Sequence, residues 1–249
     1  AKELGLTCFS SPFDFTSVDF LEENFSPPAY KIASFEMIDI PLIKKVASLG
    51  KPLFISTGMS SDSEIEDAVK AAKDEGCKDI LLFHCISGYP TVIEDSNLKL
   101  IQKLRKNYNV LSGLSDHTLT TITSVSATAL GASAIEKHFI IDRSEGGLDA
   151  EFSIEPKEMK TLVNDCANVF KSLGSNDRKI RPSEISSIGK RRSLYVVKNI
   201  IKGEVFTSEN IQSIRPENGL KPKHYYDILG RVSSRDINAG TPLEWHLIE

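Results

Sequence analysis

KPLFISTGMSSDSEIEDAVKAAKDEGCKDILLFHC, residues 51–85, carries the pattern on which the fold turns. Two short apolar runs, Leu53–Thr57 and Ile80–Cys85, flank one amphipathic helix over Ser61–Glu75. Ser61 and Glu64 stand at capping-box spacing. Ile65, Ala68, Val69 and Ala72 then fall at i, i+3, i+4 and i+7, which makes a single apolar stripe. Gly76 follows where helices commonly end on a glycine. Neither flanking run alternates polar with apolar, so both read as strands buried on two faces in a parallel sheet.

The same unit repeats outward in both directions. Further strands are expected at Leu6–Ser10, Tyr30–Ala33, Val110–Leu114 and Ala134–Ile140. Helices are expected at Ile38–Leu49, Leu98–Lys106, Thr121–Leu130 and Pro156–Leu173, the last opened by Glu155-Pro156. Strand–helix units every 20–30 residues mean an α/β fold, either a (β/α) barrel or a doubly wound sheet. About six units can be read, whereas a closed barrel needs eight. The chain opens as AKELGLTCFSSPF, without an initiator Met or a signal pattern, as if within a helix. The expectation is a (β/α)8 TIM barrel whose first two βα units are missing, so that the chain alone would be poorly stable or inactive.

Residues 1–173 are read as this partial barrel domain and the polar stretch 174–190 as a linker. Residues 191–249 change character. Short runs at Ser193–Lys198, Val205–Phe206, Ile211–Arg215 and Gly230–Ser233 are separated by glycine turns, which predicts a small β-rich domain.

The 249 residues carry a net charge of −4, with 40% hydrophobic and 26% charged residues. That balance argues against nucleic acid or a membrane surface as partner and fits a cytoplasmic protein. Cys8, Cys77, Cys85 and Cys166 form no C-x-x-C pair and are expected to be buried free thiols.

Catalytic groups of a βα barrel sit at the C-terminal ends of its strands. Here those ends read Phe9-Ser10-Ser11-Pro12, Lys31 to Glu36, Ser56-Thr57-Gly58, His84 to Pro90, Ser115-Asp116-His117-Thr118 and Glu136-Lys137-His138-Phe139. All six end in hydroxyls, carboxylates, lysine or histidine. Two histidines on adjacent strands can share a divalent ion, or can equally be hydrogen-bonded residues of the barrel mouth. Lys31 among serines suits a phosphate or carboxylate, a Schiff base, or pairing with Glu36 or Asp116. Glu36, Glu136 and Asp149 are carboxylates near the same rim. His84, His224 and His246 read as ordinary structural or surface residues, and Trp245 and Phe206 as core.

SSPFD (10–14), YKIASFE (30–36), KPLFISTGM (51–59), HCISGYPT (84–91), GLSDHT (113–118), ALGASAIEKHF (129–139) and RPENG (215–219) together resemble the sialic acid synthase family. The ordered set spans nearly the whole chain, and its last segment looks like the antifreeze-like SAF domain that closes such chains. The family's N-terminal motifs, resembling A-E-I-G-x-N-H and V-K-F-Q, are absent. The resemblance implies condensation of phosphoenolpyruvate with an N-acetylated amino-sugar aldehyde, with release of phosphate. It implies Mn²⁺ or Mg²⁺ on His117 and His138, with Lys31, Ser11, Ser34, Ser87 and Ser115 around phosphoenolpyruvate. Glu36, Tyr89 and Asp149 match positions facing the sugar. Lys31, Glu36 and Asp149 would be the catalytic residues. Arg215 matches an arginine that reaches the sugar's N-acetyl group across a domain-swapped homodimer. Ser87 stands where some members have asparagine.

The loop GGLDAEFS (146–153) resembles the G-G-x-D-x-x-F-S version of pseudaminic acid synthases, whose sugar is a 6-deoxy-diacetamido-altrose. The alternatives are an N-acetylneuraminate or legionaminate synthase, a lysine aldolase on the same barrel, and a non-catalytic sugar-binding or assembly protein.

Overall fold

The computed structural model describes residues 1–249, the side chain of Lys2 excepted. The chain divides into two compact units, Ala1–Ser175 and Asn176–Glu249.

The first unit is α/β. It runs α1 (Phe15–Asn24), β1 (Tyr30–Ile32), α2 (Ile40–Ala47), β2 (Leu53–Ser56), α3 (Asp62–Asp74), β3 (Ile80–Cys85), α4 (Leu100–Tyr108), β4 (Leu111–Asp116), α5 (Ile122–Ala129), β5 (Ile135–Lys137) and α6 (Pro156–Leu173). The five strands form one parallel sheet in the order β1-β2-β3-β4-β5, half of a barrel. Each strand therefore hydrogen-bonds the next one in sequence, as a barrel requires, and no switch point appears.

The expected strand Leu6–Ser10 does not form. Only Ser10 pairs, through a parallel bridge to Tyr30, and residues 6–9 are exposed. A strand needs partners along its length as well as an apolar run. At the other edge, Phe139 makes a parallel bridge to Ile154.

The helices pack on the sheet as their stripes dictate. In α3, Ile65, Ala68, Val69, Ala71 and Ala72 are buried. Ser61 and Glu64 close the capping box at its start. Val18, Tyr30, Ile32, Leu42, Ile43, Val46, Leu53, Ile55 and Leu82 join that face in one core. Each fully buried Leu or Ile in it contributes about 1.5–3 kcal/mol of hydrophobic stabilisation.

Helix α1 was not anticipated by periodicity. Phe15, Phe20 and Phe25 around it are exposed and only Val18 is buried, so no stripe can be read. It is set instead by polar contacts. Asp14 caps it by accepting from Ser17 N at 2.7 Å. Glu22 accepts from the Tyr30 hydroxyl at 2.7 Å and pairs with Lys51.

The second unit holds a two-stranded antiparallel sheet of β6 (Ser193–Val196) and β7 (Ile211–Ile214), with a short helix α7 (Tyr225–Ile228). Val205 and Val232, within two of the expected strands, meet only as an isolated bridge. Leu194, Val196, Ile200, Phe206, Ile211, Ile228, Ile237, Leu243 and Leu247 form its core. Phe206 is in the core as expected, whereas Trp245 is 46% exposed with its ring edge-on to His224. Pro182–Lys190, inside the expected linker, is wound into 3₁₀ turns. Of the thiols, Cys77 and Cys85 are buried, Cys166 is partly so, and Cys8 is exposed, contrary to expectation. Among the described residues no helix is long and apolar enough to cross a membrane.

Candidate active site

Side chains alternate along a strand, so residues two apart share a face. The parallel register sets Ser115 opposite Glu136 and Asp116 opposite Lys137. Ser115 and His117 of β4 and its end then share the inner face with Glu136 and His138 of β5. A cleft of about 320 Å³ opens there, at the C-terminal ends of the strands. Ser11, Lys31, Ser34, Tyr89, Ser115, His117 and His138 all line it. A larger hollow of about 610 Å³ lies at the opposite, N-terminal ends of β2, β3 and β4, beside Pro52, Ile80 and Leu111. It lacks histidine and serine, so the smaller cleft is the one equipped for chemistry.

Lys31 is buried, with Nζ 3.5 Å from Glu136 Oε2 and 5.7 Å from the Phe83 ring centroid. Ser115 Oγ donates to Glu136 Oε1 at 2.6 Å. Gly58 N donates to Ser34 Oγ at 3.1 Å. At Gly58 a Cβ would stand 2.3 Å from Ser87 Oγ and 2.8 Å from Ser34 Oγ, so a larger residue would displace both hydroxyls. Ser87 Oγ lies 3.9 Å from Cys85 Sγ.

The two imidazoles are 5.2 Å apart between ring centroids. His117 Nδ1 is engaged by the Ile86 carbonyl at 2.9 Å, and His138 Nδ1 lies 3.4 Å from Asp149 Oδ2. His117 is also hydrogen-bonded to Cys85, and in each ring Nδ1 faces a carbonyl or carboxylate oxygen. This is how metal-ligating histidines are commonly oriented, with one ring nitrogen on a carbonyl or carboxylate and the other on the ion. Among the described residues no three His, Cys, Asp or Glu side chains gather to hold an ion. The donor set on offer is two imidazoles, which suits a divalent ion that keeps positions open for water or substrate.

Burial pushes the His138 pKa down, and the neighbouring His117 lowers it further, so its imidazole is neutral near pH 7. Burial also disfavours the charged form of His117, but hydrogen bonds to Cys85 and to the Ile86 carbonyl outweigh it and raise the pKa. For Cys85 burial acts upward, while hydrogen bonds from His117 and Ser34 prevail and lower it. The Tyr89 ring packs against His117 at 4.2 Å between centroids, tilted by 40°, and Phe152 packs edge-on against His138 at 4.9 Å.

Behind the histidines lies a buried ion pair. Lys137 Nζ is 3.0 Å from Asp116 Oδ2, both side chains at most 2% exposed. Burial acts to raise the Asp116 pKa, but Lys137 and the Ser124 and Thr123 hydroxyls hold it below the usual range.

Of the residues expected at the site, Glu36, Ser87 and Asp149 are not among those lining the cleft, and Arg215 belongs to the second unit. Glu36 does not line it, although its Oε2 is buried without a hydrogen-bond partner and is free to accept from a ligand. Arg215 is exposed at the end of β7 in the second unit. Conversely, Ser56, Cys85 and Phe152 carry no site role in the sequence reading, whereas Glu136 is among its three rim carboxylates. Glu136 was legible through strand alternation, two residues before His138. Ser56 lines the cleft with an unpartnered hydroxyl. Phe152, on a loop turn after Asp149, gave no periodic signal.

The NeuB family matches residues 1–178, and the SAF domain matches residues 191–249. The chain belongs to the NeuB family. Among relatives, a pseudaminic acid synthase from Campylobacter jejuni is 41% identical over 98% of this chain and 71% of its own length. An N,N'-diacetyllegionaminic acid synthase from the same species is 38% identical over 95% of this chain and 71% of its own. The crystal structure of the spore coat polysaccharide biosynthesis protein spsE from Bacillus subtilis superposes with a TM-score of 0.67 at 32% identity, covering all of this chain and 75% of that one. The half-barrel followed by a SAF domain is thus this NeuB chain's architecture.

Proposed function

We propose that this chain is the catalytic part of a nonulosonic acid synthase, which joins phosphoenolpyruvate to an N-acetylated amino-sugar aldehyde. The observation that carries the reading is one cleft holding both a lysine among serines and two imidazoles whose Nδ1 atoms face a carbonyl and a carboxylate. The first set suits a doubly anionic substrate and the second a divalent ion such as Mn²⁺ or Mg²⁺.

In the proposed reaction the enol carbon of phosphoenolpyruvate forms a bond to the aldehyde carbon, and the aldehyde oxygen becomes a hydroxyl. Water adds to the resulting cationic carbon. The tetrahedral adduct expels phosphate and leaves a 2-keto acid. A divalent ion held by His117 and His138 would supply Lewis-acid polarisation of the aldehyde oxygen. Lys31, Ser11, Ser34, Ser87 and Ser115 hold the carboxylate and phosphate, and Ser56 adds an unpartnered hydroxyl to that set. Glu136, between Lys31 and Ser115, is positioned to take a proton from the incoming water. Tyr89, Glu36 and Asp149 face the sugar. Arg215 meets the N-acetyl group in a domain-swapped homodimer. Lys31 acts by binding and not by forming a Schiff base.

The 6-deoxy-diacetamido-altrose is favoured as the sugar. Identities of 41% and 38% to pseudaminate and legionaminate synthases choose poorly between the two. The loop GGLDAEFS carries the choice, because it resembles the G-G-x-D-x-x-F-S version of pseudaminic acid synthases.

The test is phosphate release from phosphoenolpyruvate with Mn²⁺, using the chain fused to the two βα units expected ahead of it. Release with the altrose sugar alone supports the pseudaminate reading. Release with N-acetylmannosamine alone keeps the reaction and overturns the sugar. No release with any nonulosonate precursor from folded, metal-loaded protein overturns the reaction itself.

A further inference from the structure

The side chains of the buried pair Asp116–Lys137 bond to the turn 118–121 and the start of α5, and each member directly precedes one of the two histidines. Its surroundings join three parts of the fold. Asp116 accepts from Thr118 N at 2.9 Å, from Thr123 Oγ1 at 2.7 Å and from Ser124 Oγ at 2.5 Å, the last two in the first turn of α5. Lys137 donates to the carbonyls of Thr118 and Thr120 in the turn that leads into α5. Asp116 and Lys137 are register partners across β4 and β5. The end of β4, the turn 118–121, the start of α5 and the end of β5 are therefore tied at one point. His117 sits between two members of that knot, Asp116 and Thr118. His138 is the residue after Lys137.

We infer that Asp116 and Lys137 are positioning residues that fix the separation and aim of the His117 and His138 Nε2 atoms for one divalent ion, an inference that rests on the metal reading above. Hydrophobic packing of the same volume would hold β4 against β5, but it would not set the rotation of either strand end. A fully satisfied ion pair with a fixed donor geometry does both. Outer groups that orient metal ligands typically change metal affinity by about 10- to 100-fold when removed.

The experiment measures Mn²⁺ and Co²⁺ affinity of the chain by calorimetry, with the Co²⁺ absorption spectrum as a report on ligand geometry. The variants are the apolar pair Asp116→Leu/Lys137→Met, the milder Ser124→Ala, and His117→Ala with His138→Ala as references. Removing both charges together avoids stranding either one. The inference expects the apolar pair to keep a cooperative thermal transition, to lose about 10- to 100-fold in affinity, and to change the Co²⁺ spectrum. Parent-like affinity and spectrum in that folded variant overturn it. Should the apolar pair not fold, Ser124→Ala decides: a weaker ion affinity of up to about tenfold supports the inference, and an unchanged one overturns it. If the parent binds no ion in a manner that depends on His117 and His138, the metal reading fails and takes this inference with it. That outcome is told apart from the others by the two histidine references.

Discussion

Gly113 in β4 offers the sharpest test of how the half-barrel is assembled. A Cβ there would stand 2.5 Å from the Ala134 carbonyl oxygen and 2.8 Å from the Phe83 ring. The first distance is about 0.9 Å short of the 3.4 Å at which ordinary contact begins. The carbonyl has little room to give way, because it already accepts from Leu114 N at 3.0 Å. Gly113→Ala must therefore push β5 off β4, at about 1–3 kcal/mol for the overpacking and about 1 kcal/mol for the weakened hydrogen bond. The expected loss is about 2–4 kcal/mol, or roughly 4–16 °C in the melting temperature of a unit this size. Urea unfolding monitored by circular dichroism reads it directly. Adding Phe83→Leu should relieve the ring clash but not the carbonyl clash, so it should restore only part of the loss. A Gly113→Ala variant within 0.5 kcal/mol of the parent would refute the close approach of β4 and β5. So would complete rescue by Phe83→Leu.

Other positions give independent checks. His84 is buried, and burial holds its pKa below the ordinary value while its Nε2 meets the Ser96 carbonyl at 2.8 Å. The unfolded chain then binds a proton below about pH 6.5 where the folded one does not, so stability falls with acidification by up to about 1.4 kcal/mol per pH unit. Subtracting the His84→Asn curve from the parent curve should isolate that slope, and no difference between them would contradict the neutral buried ring. In the second unit, the fully buried Ser193 Oγ donates to the Pro216 carbonyl at 2.8 Å and accepts from Asn218 N and Gly219 N at 3.2 and 3.0 Å. Ser193→Ala should cost about 2–4 kcal/mol, seen as faster amide exchange confined to residues 176–249. Asp149→Ala separates two roles: a 10- to 100-fold drop in metal affinity means that it orients His138, whereas a raised KM for the sugar with unchanged metal affinity means that it faces only the substrate.

The parts of the fold legible in the sequence are those where one local pattern sufficed. The α3 capping box and stripe were read to within one residue, because cap, periodicity and the terminal glycine agree. Helix α6 was read at both ends for the same reason, with Pro156 at its first turn. What escaped were elements defined by partners. Leu6–Ser10 is apolar enough for a strand but pairs only at Ser10. Helix α1 has its Phe side chains in solvent and is held by Asp14 and Glu22. At the site, chemistry-bearing types at strand ends were visible, but their convergence was not. That Lys31 meets Glu136 and not Glu36 or Asp116 follows from the half-barrel's bringing its two edge strands, β1 and β5, to one cleft across 105 residues of sequence, which no local spacing reveals.

The tripeptides Ser115-Asp116-His117 and Glu136-Lys137-His138 show how one period serves two purposes. In each, the outer residues line the cleft, while the polar atoms of the middle one bond to the turn 118–121 or to α5. Ser115 meets Glu136 at 2.6 Å on one side of the sheet, and Asp116 meets Lys137 at 3.0 Å on the other. A slip of one residue between β4 and β5 would turn Lys137 into the cleft and send both its neighbours behind the sheet. It would also strand Asp116 as an unpaired buried charge, which costs about 3–5 kcal/mol. The wrong register is thus penalised by the same pair whose correct register sets the histidines. The separation of the two imidazoles therefore depends on strand pairing as well as on their own contacts with the Ile86 carbonyl and Asp149.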